Sequence, residues 1–277
     1  MASLTLKGKV IISGSVEAVT GLHIGGAAAG LDIGGIDNPI IRHPVSREPY
    51  IPGSSLRGKM RSLLDRHFGN EANHDIRREE PKVRVHVCDN EDKYSNCAVC
   101  QIFGVTPGER ERRSWSQLKP ARLLVRDVHL AADHEATERL RRAKTDLPFT
   151  EVKWEAAIDR ITSAAVPRQN ERVPAGAIFA PFELVYGIYA LNGQGWESDV
   201  AWLQYVFKAM ELLEDDYLGG YGSRGAGKIA FRNIHVVCKP HGYYEGKKGL
   251  ETLAENLTVA ELQPQAYAER IQKLLQE

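Results

Sequence analysis

The sequence predicts an α+β fold in which strands and helices share one core. Leu4–Ala18 alternates apolar and polar residues, which is typical of a strand with one buried face. Apolar residues recur at helical spacing over residues 56–68 and 203–213, and residues 178–189 form a second strongly apolar strand. Taken in order, strand, helix, strands, helix and strand is the ferredoxin-like (RRM-like) βαββαβ plan, here with large insertions.

Each element has its own signal along the chain. Ser54 or Ser55 is predicted to cap the first helix, and Ser198 the second. Strands are expected over residues 121–130 and 228–237, a short helix near residues 133–143, and an amphipathic helix after Pro264. The mixed and polar segment 149–177 is interpreted as a protruding hairpin, and the segment 69–119 as a second insertion.

Composition excludes several classes of protein. The chain has 277 residues, 43% of them apolar and 26% charged, which is the ordinary globular balance. Basic and acidic residues number 36 each, so any nucleic-acid site must be a local patch. The longest stretch free of Asp, Glu, Lys and Arg has 15 residues, fewer than the roughly 18 that a bilayer span needs. We expect no membrane contact and a cytoplasmic location.

Three of the four cysteines lie within 13 residues, in the pattern His86-x-Cys88-x8-Cys97-x2-Cys100. In a reducing compartment such clustering favours a metal site over disulfides, and a C-x2-C turn supplies two thiolates to a tetrahedral zinc ion. His86 and Cys88 would complete a structural Zn²⁺ site without an open coordination position. His74 competes with His86 for the fourth place, and unliganded thiols are the alternative.

A second signal is the glycine-rich segment 218–228, which holds five glycines in eleven residues between a helix and a strand. It is neither a P-loop nor a dinucleotide fingerprint, because the order of helix and strand is reversed and Ile229 replaces the Ser/Thr of a P-loop. Its amides, with Arg224 and Lys228, are suited to holding phosphates. A plain glycine turn is the alternative.

With these motifs the chain resembles the RAMP superfamily of CRISPR systems, and in particular the backbone subunit of the type III-A effector complex. The resemblance rests on the glycine loop together with five motifs spread over most of the chain. These motifs are Thr20-Gly-Leu-His-Ile-Gly-Gly26, Gly35-Ile-Asp-Asn-Pro39, Tyr50-Ile-Pro-Gly-Ser-Ser-Leu-Arg-Gly-Lys-Met-Arg61, Asp159-Arg-Ile-Thr162 and Pro167-Arg-Gln169. It implies a single RAMP domain over residues 1–277, with a zinc-bearing lid at 69–119 and a thumb hairpin at 149–177.

The resemblance also implies the activity. Such subunits assemble as repeated copies along a guide (CRISPR) RNA, with other type III subunits, and cleave the complementary target RNA at regular intervals. The aspartate that the family requires for cleavage corresponds to Asp37, with Mg²⁺ or Mn²⁺ as the expected cofactor. This assignment agrees with the chemistry, because RNA carries its own nucleophile in the 2′-OH. Asp32 is the competing carboxylate, and an Asx-turn before Pro39 is the structural alternative for Asp37.

RNA binding is assigned to residues of the two loops, the first helix and the hairpin. They are His23, Ser54, Ser55, Arg57, Lys59, Arg61, Arg160, Arg168, Gly222, Ser223, Arg224 and Gly225. The free amides and cations at a helix start favour phosphate, although a solvated charged face is the alternative. His23 could equally be a partly buried structural residue. In the thumb, Ile161, Val166 and Pro167 would form an apolar wedge between paired bases, unless the segment is an ordinary exposed loop.

Two other functions compete with this one. The chain could be a guide-binding scaffold whose complex cleaves RNA elsewhere, or a guide-processing RAMP endoribonuclease with a histidine acid/base site. The aspartate motif argues against the first and the thumb motif against the second.

Overall fold

We analysed a computed structural model of the chain, which describes residues 3–26, 36–77, 79–105, 115, 118–143, 145 and 147–276. The strands are β1 (Leu4–Ala18), β2 (Tyr50–Ile51), β3 (His74–Arg77), β4 (Val83–Val85), β5 (Leu123–Val125), β6 (Val128–His129), β7 (Glu151–Ile158), β8 (Ala165–Arg172), β9 (Ile178–Leu191), β10 (Ile229–Pro240) and β11 (Glu251–Leu257). The helices are α1 (Gly53–Phe68), α2 (Glu91–Asn96), α3 (Ala98–Phe103), α4 (Glu135–Arg142), α5 (Trp196–Asp215), α6 (His241–Tyr244) and α7 (Pro264–Gln276).

A five-stranded sheet organises this mixed α/β fold. Its strand order is β11-β10-β1-β9-β5, and every neighbouring pair is antiparallel. β1 lies in the middle and has the predicted bounds. Its alternation is confirmed, because Val10, Ile12, Val16 and Ala18 are all buried. The sheet therefore has one face that turns its apolar residues toward the core.

Three helices cover that face. α5 packs against α1 on one side and α7 on the other. The predicted helical stripes are buried here, with Leu56 and Met60 from α1 and Val206 and Met210 from α5. Phe68 at the end of the α1 stripe is the exception, with 41% of its surface exposed. The opposite face of the sheet carries the other alternating residues of β1, including half-buried Lys9 and Ile11.

The helix caps differ from the prediction. α1 begins after Pro52 and has no side-chain cap, so neither Ser54 nor Ser55 plays that role. Instead the Asp127 carboxylate accepts the first amide of the helix, Gly53 N, at 2.7 Å. α5 begins after Gly195, also without a side-chain cap. Ser198 lies inside that helix. The free amide at the start of α1 is thus bonded by a carboxylate 74 residues away in sequence, and a local sequence pattern cannot predict such a distant partner.

Two strand predictions also need correction. The strand expected over residues 121–130 is divided, because β5 pairs with β9 whereas β6 pairs with β2. β11 was not predicted at all, and it forms the edge of the sheet beside β10. Its sequence, Glu-Thr-Leu-Ala-Glu-Asn-Leu, buries only Leu253 and Ala254, so the apolar pattern is too short to identify it. The C-terminal helix is confirmed as α7.

The hairpin expected between residues 149 and 177 is present as β7 and β8. Eight residue pairs run from Glu151–Arg172 at the base to Ile158–Ala165 beside the tip. None of the helices in the described part of the chain has the length and apolar character needed to cross a bilayer.

A buried ion pair joins the sheet to α5. The Arg122 guanidinium donates two hydrogen bonds, at 3.0 and 3.1 Å, to the Asp199 carboxylate, and both side chains are fully buried. Arg122 also donates to the carbonyl of Gln101 in α3 at 3.3 Å, and Asp199 accepts from the Tyr189 amide at 2.9 Å. Removing one member of such a pair leaves an uncompensated buried charge.

We predict that Asp199→Ala lowers the free energy of unfolding by about 3–5 kcal/mol, because Arg122 loses its only buried counter-ion in the described structure. Asp215→Ala, at the exposed end of the same helix, is the control, and should change stability by less than about 0.5 kcal/mol. Urea denaturation followed by circular dichroism measures both. Equal stability of the two variants would contradict the assigned role of the ion pair.

Candidate functional site

Three segments distant in sequence meet beyond the end of β1. Residues 20–26 continue from that strand and hydrogen-bond to the base of the hairpin, where Leu22 and Val173 exchange backbone bonds of 2.9 and 2.8 Å. The glycine loop contacts the same segment from the other side, through Gly220 N to the His23 carbonyl at 2.8 Å. Gly219 has a φ of 79°, and an added Cβ would lie 2.0 Å from the His23 oxygen. Glycine is therefore required at this contact.

His23 lies inside this junction. Its side chain is buried, Nδ1 is 2.6 Å from the Glu171 carbonyl, and its ring meets the Tyr221 ring edge to face at 4.8 Å. These contacts favour the interpretation of His23 as a buried structural residue. Its contact with RNA stays a prediction.

Asp37 lies at the edge of the hairpin base with an exposed side chain. Its Oδ2 atom accepts a hydrogen bond from the Gln169 amide at 3.0 Å. The next residue, Asn38, forms a bridge with Asn170, and their side-chain amides are joined at 2.9 Å. The carboxylate keeps free lone pairs facing solvent, as a metal ligand or a general base requires. Asp32, the competing carboxylate, lies outside the described residues.

A buried carboxylate fixes the segment that carries Asp37. The Glu171 side chain is 2% exposed and accepts hydrogen bonds from Ile40 N at 2.9 Å and Thr150 Oγ1 at 2.7 Å. It also forms an ion pair with Arg42. Glu171 belongs to β8 of the hairpin, and its side chain binds residues 40 and 42 of the segment that carries Asp37. It therefore connects that segment to the hairpin. Glu171 could not be predicted as a functional residue, because its neighbours Asn170 and Arg172 are polar too and nothing in the sequence pattern distinguishes it.

The cations of α1 contact protein rather than forming a solvated face. Arg57 donates to the Phe103 carbonyl, and Arg61 to the carbonyls of His86 at 2.8 Å and Gly104 at 3.3 Å. Burial lowers the pKa of the Arg57 guanidinium, and the nearby Arg61 charge lowers it further.

Lys59 pairs with Asp216 at 3.3 Å and lies 3.7 Å from the centre of the Tyr217 ring. Ser55 is half-buried beside these cations, and Ser54 is exposed. RNA binding by this part of the predicted set stays untested.

The remaining predicted RNA-binding residues are exposed. On the hairpin these are Arg160 and Arg168, and in the glycine loop Ser223, Arg224 and Gly225, while Gly222 is half-buried. The Lys153 ammonium of β7 donates to the Arg224 carbonyl at 3.2 Å, so the hairpin and the glycine loop are connected. Apolar side chains also project from the hairpin: Trp154, Ile158, Ile161 and Val166 are 55–93% exposed.

The predicted metal ligands converge. The ligand atoms of His86, Cys88, Cys97 and Cys100 all lie within 4.8 Å of one another, and the described part of the chain places His86, not His74, in this group. His86 Nε2 faces the sulfurs of Cys88 and Cys97 at 3.6 and 3.5 Å, and its Nδ1 lies 3.2 Å from the Glu71 carbonyl. That contact orients the ring as metal-bound histidines are commonly oriented.

The electrostatics of this cluster favour a thiolate. Hydrogen bonds from Cys100 and then Cys88 lower the pKa of the Cys97 thiol to about 2. The two separations of 3.6 and 3.5 Å between His86 Nε2 and the sulfurs match a tetrahedral site, since bonds of about 2.0–2.3 Å place ligand atoms less than about 4 Å apart. The cluster can therefore hold a metal ion.

Comparisons with known proteins identify the family to which the chain belongs. The sequence profile of the RAMP superfamily matches residues 15–230. A protein of Methanocaldococcus jannaschii named "CRISPR system Cms endoribonuclease Csm3" is 41% identical over 253 residues, covering 90% of this chain and 88% of the relative. The protein of that name from Streptococcus thermophilus is 39% identical, covering 90% and 97%.

A solved structure is also similar over nearly the full length. A chain in the crystal structure of a Csm3–Csm4 subcomplex of the type III-A CRISPR-Cas interference complex has a TM-score of 0.57 and 32% identity, with 97% of each chain covered. The chain belongs to the RAMP superfamily and, within it, to the Csm3 family.

We predict that Glu171→Gln loosens the attachment of the Asp37 segment, because Arg42 loses its buried counter-ion. Amide hydrogen exchange at Ile40 should become at least tenfold faster. The control is Glu151→Gln at the half-exposed base of the hairpin, paired with Arg172 at 2.6 Å, and it should leave Ile40 protected. Unchanged exchange in the Glu171 variant would show that the carboxylate does not hold this segment.

Proposed function

We propose that this chain is a guide-RNA-binding backbone subunit of a type III CRISPR ribonucleoprotein and that it cleaves complementary target RNA at regular intervals. The relatives named endoribonuclease support the activity, and the similar chain in a complex with Csm4 supports assembly with other type III subunits. Repeated copies along one guide would set the interval between cuts. We assign the complex to the cytoplasm.

We further propose a ferredoxin-like core with a zinc-bearing lid insertion (69–119) and a thumb insertion (149–177), within one RAMP domain over residues 1–277. The order β10-β1-β9-β5 supports the core, because it equals the 4-1-3-2 order of an antiparallel βαββαβ sheet when α1 and α5 are counted as its helices. The apolar residues exposed on the β7–β8 hairpin support a wedge between paired bases.

The observation that carries the proposal is the position of Asp37. Its exposed carboxylate is held by a backbone amide of the hairpin, and Glu171 of the hairpin holds the following residues Ile40 and Arg42. A target strand bent over the hairpin would bring a phosphodiester to this edge, and its own 2′-OH would attack in line. Asp37 would accept the 2′-OH proton or hold a Mg²⁺ or Mn²⁺ ion, which would stabilise charge on the phosphate oxygens.

The two competing functions have less support. A guide-processing enzyme with a histidine acid/base site would need an accessible imidazole in the junction, whereas His23 is buried and engaged through Nδ1. A purely structural subunit would have no need for an exposed carboxylate fixed in this way.

Asp37→Ala tests the cleavage site. The variant should still assemble with guide and target RNA, because Asp37 is exposed and the core is untouched, but cutting should fall by at least about 10²-fold. Target binding and cleavage are both measured with labelled complementary RNA in the presence of Mg²⁺ or Mn²⁺. Chelation of the ion should abolish cleavage by the unmodified complex. Asp32→Ala is the control and should cut normally. Regularly spaced products from the Asp37 variant would contradict the assignment.

For the metal cluster we propose one structural Zn²⁺ per chain. Elemental analysis in metal-free buffer should find about one zinc per chain and none after Cys97→Ser/Cys100→Ser. The variant should also unfold at a lower temperature, because the ion stabilises a segment with little core of its own. Cys238→Ala removes a cysteine outside the cluster and should retain zinc. Zinc retained by the double variant would exclude this ligand set.

A further inference from the structure

Two half-buried lysines lie directly opposite each other on the face of the sheet that α6 partly covers. Lys9 of β1 and Lys239 of β10 are register partners in an antiparallel pair, so their side chains share one face. Their neighbours Val10 and Cys238 are buried on the other face, beneath the helices. Like charges directly opposite in a sheet are destabilising, so this pair needs an explanation.

No carboxylate of the described residues neutralises these lysines. Lys9 Nζ lies 5.8 Å from the centre of the Tyr244 ring, and Lys239 Nζ lies 5.0 Å from that of Tyr243. The nearby Glu245 carboxylate is already paired with Lys247 at 2.9 Å. Two unneutralised ammonium groups therefore lie next to two tyrosine rings.

A third tyrosine extends this surface. On β9, the other neighbour of β1, Gly187 is the register partner of Lys9. A Cβ atom added to Gly187 would lie 2.6 Å from the Tyr189 ring, so this ring covers the glycine. The two rings carried by α6 meet edge to face at 5.4 Å, and Tyr244 is 49% exposed. We call Lys9, Lys239, Tyr189, Tyr243 and Tyr244 the lysine–tyrosine face.

We propose that the lysine–tyrosine face is a second binding site for single-stranded RNA. Ammonium groups provide phosphate contacts, and aromatic rings stack on bases without regard to sequence. A protein partner fits less well, because lysine is depleted at protein–protein interfaces. Nine residues of β1 separate Lys9 from the end of the strand, which places this face about 30 Å from the glycine loops. It would hold a different RNA segment from the one near Asp37.

The test removes the charges while the guide site is occupied. Lys9→Gln/Lys239→Gln removes two lysines from the face. The control, Lys93→Gln/Lys208→Gln, removes two lysines carried by α2 and α5, each paired with a nearby carboxylate. Binding of a short fluorescein-labelled oligouridylate is measured on guide-loaded protein over a range of salt concentrations. The first variant should bind about tenfold more weakly, and its salt slope should fall by about 1.4, from two lost phosphate contacts. Affinity and slope equal to those of the control would overturn the proposal.

A second measurement separates RNA from other occupants. RNA containing 4-thiouridine should crosslink to the peptide that carries Tyr243 and Tyr244, and Tyr243→Leu/Tyr244→Leu should abolish the crosslink. Displacement of the oligouridylate by a polyglutamate peptide at equal charge would overturn the proposal in favour of an acidic protein partner.

Guide binding and target cleavage by the Lys9/Lys239 variant should be normal, because both are assigned elsewhere. If the unmodified protein did not bind guide RNA, the proposed function would be contradicted but the proposal for the lysine–tyrosine face would not. Oligouridylate binding can then still be measured on the free chain.

Discussion

The buried carboxylate of Glu171 is the interaction on which the candidate site depends. Its partners come from residue 40, residue 42 and residue 150, and its own backbone belongs to the hairpin. A charged group is stable in such a place only when it is paired and hydrogen-bonded, and here both conditions are met. The same residue's carbonyl contacts His23, so one position links the first loop, the hairpin and, through His23, the glycine loop.

Much of the fold could be predicted, because its signals are local. The alternation of β1 and the helical stripes of α1 and α5 depend on neighbouring residues, and burial of each face follows from the period. β11 and the helix starts could not be predicted in the same way. An edge strand with two buried residues has almost no pattern, and the cap of α1 is supplied by Asp127, which lies between β5 and β6 and is 74 residues away in sequence.

The same distinction applies to the site. The metal cluster could be predicted because its ligands lie within 15 residues, whereas Glu171 acts on a residue 131 positions away. The contacts of Arg57 and Arg61 could not be predicted from the composition of α1, because a helix rich in cations is equally compatible with a solvated charged face. Both arginines instead donate to carbonyls at the end of α3, which connects the metal segment to α1.

The bond that holds Asp37 is made by a backbone amide, and this changes which residues can vary. Any side chain at position 169 leaves the donor in place, because nineteen of the amino acids have the same N–H group. Proline alone lacks it. Position 169 is therefore free to adapt to different nucleic-acid surfaces without disturbing the carboxylate, whereas a proline there, like Pro167 two residues earlier, would remove the bond.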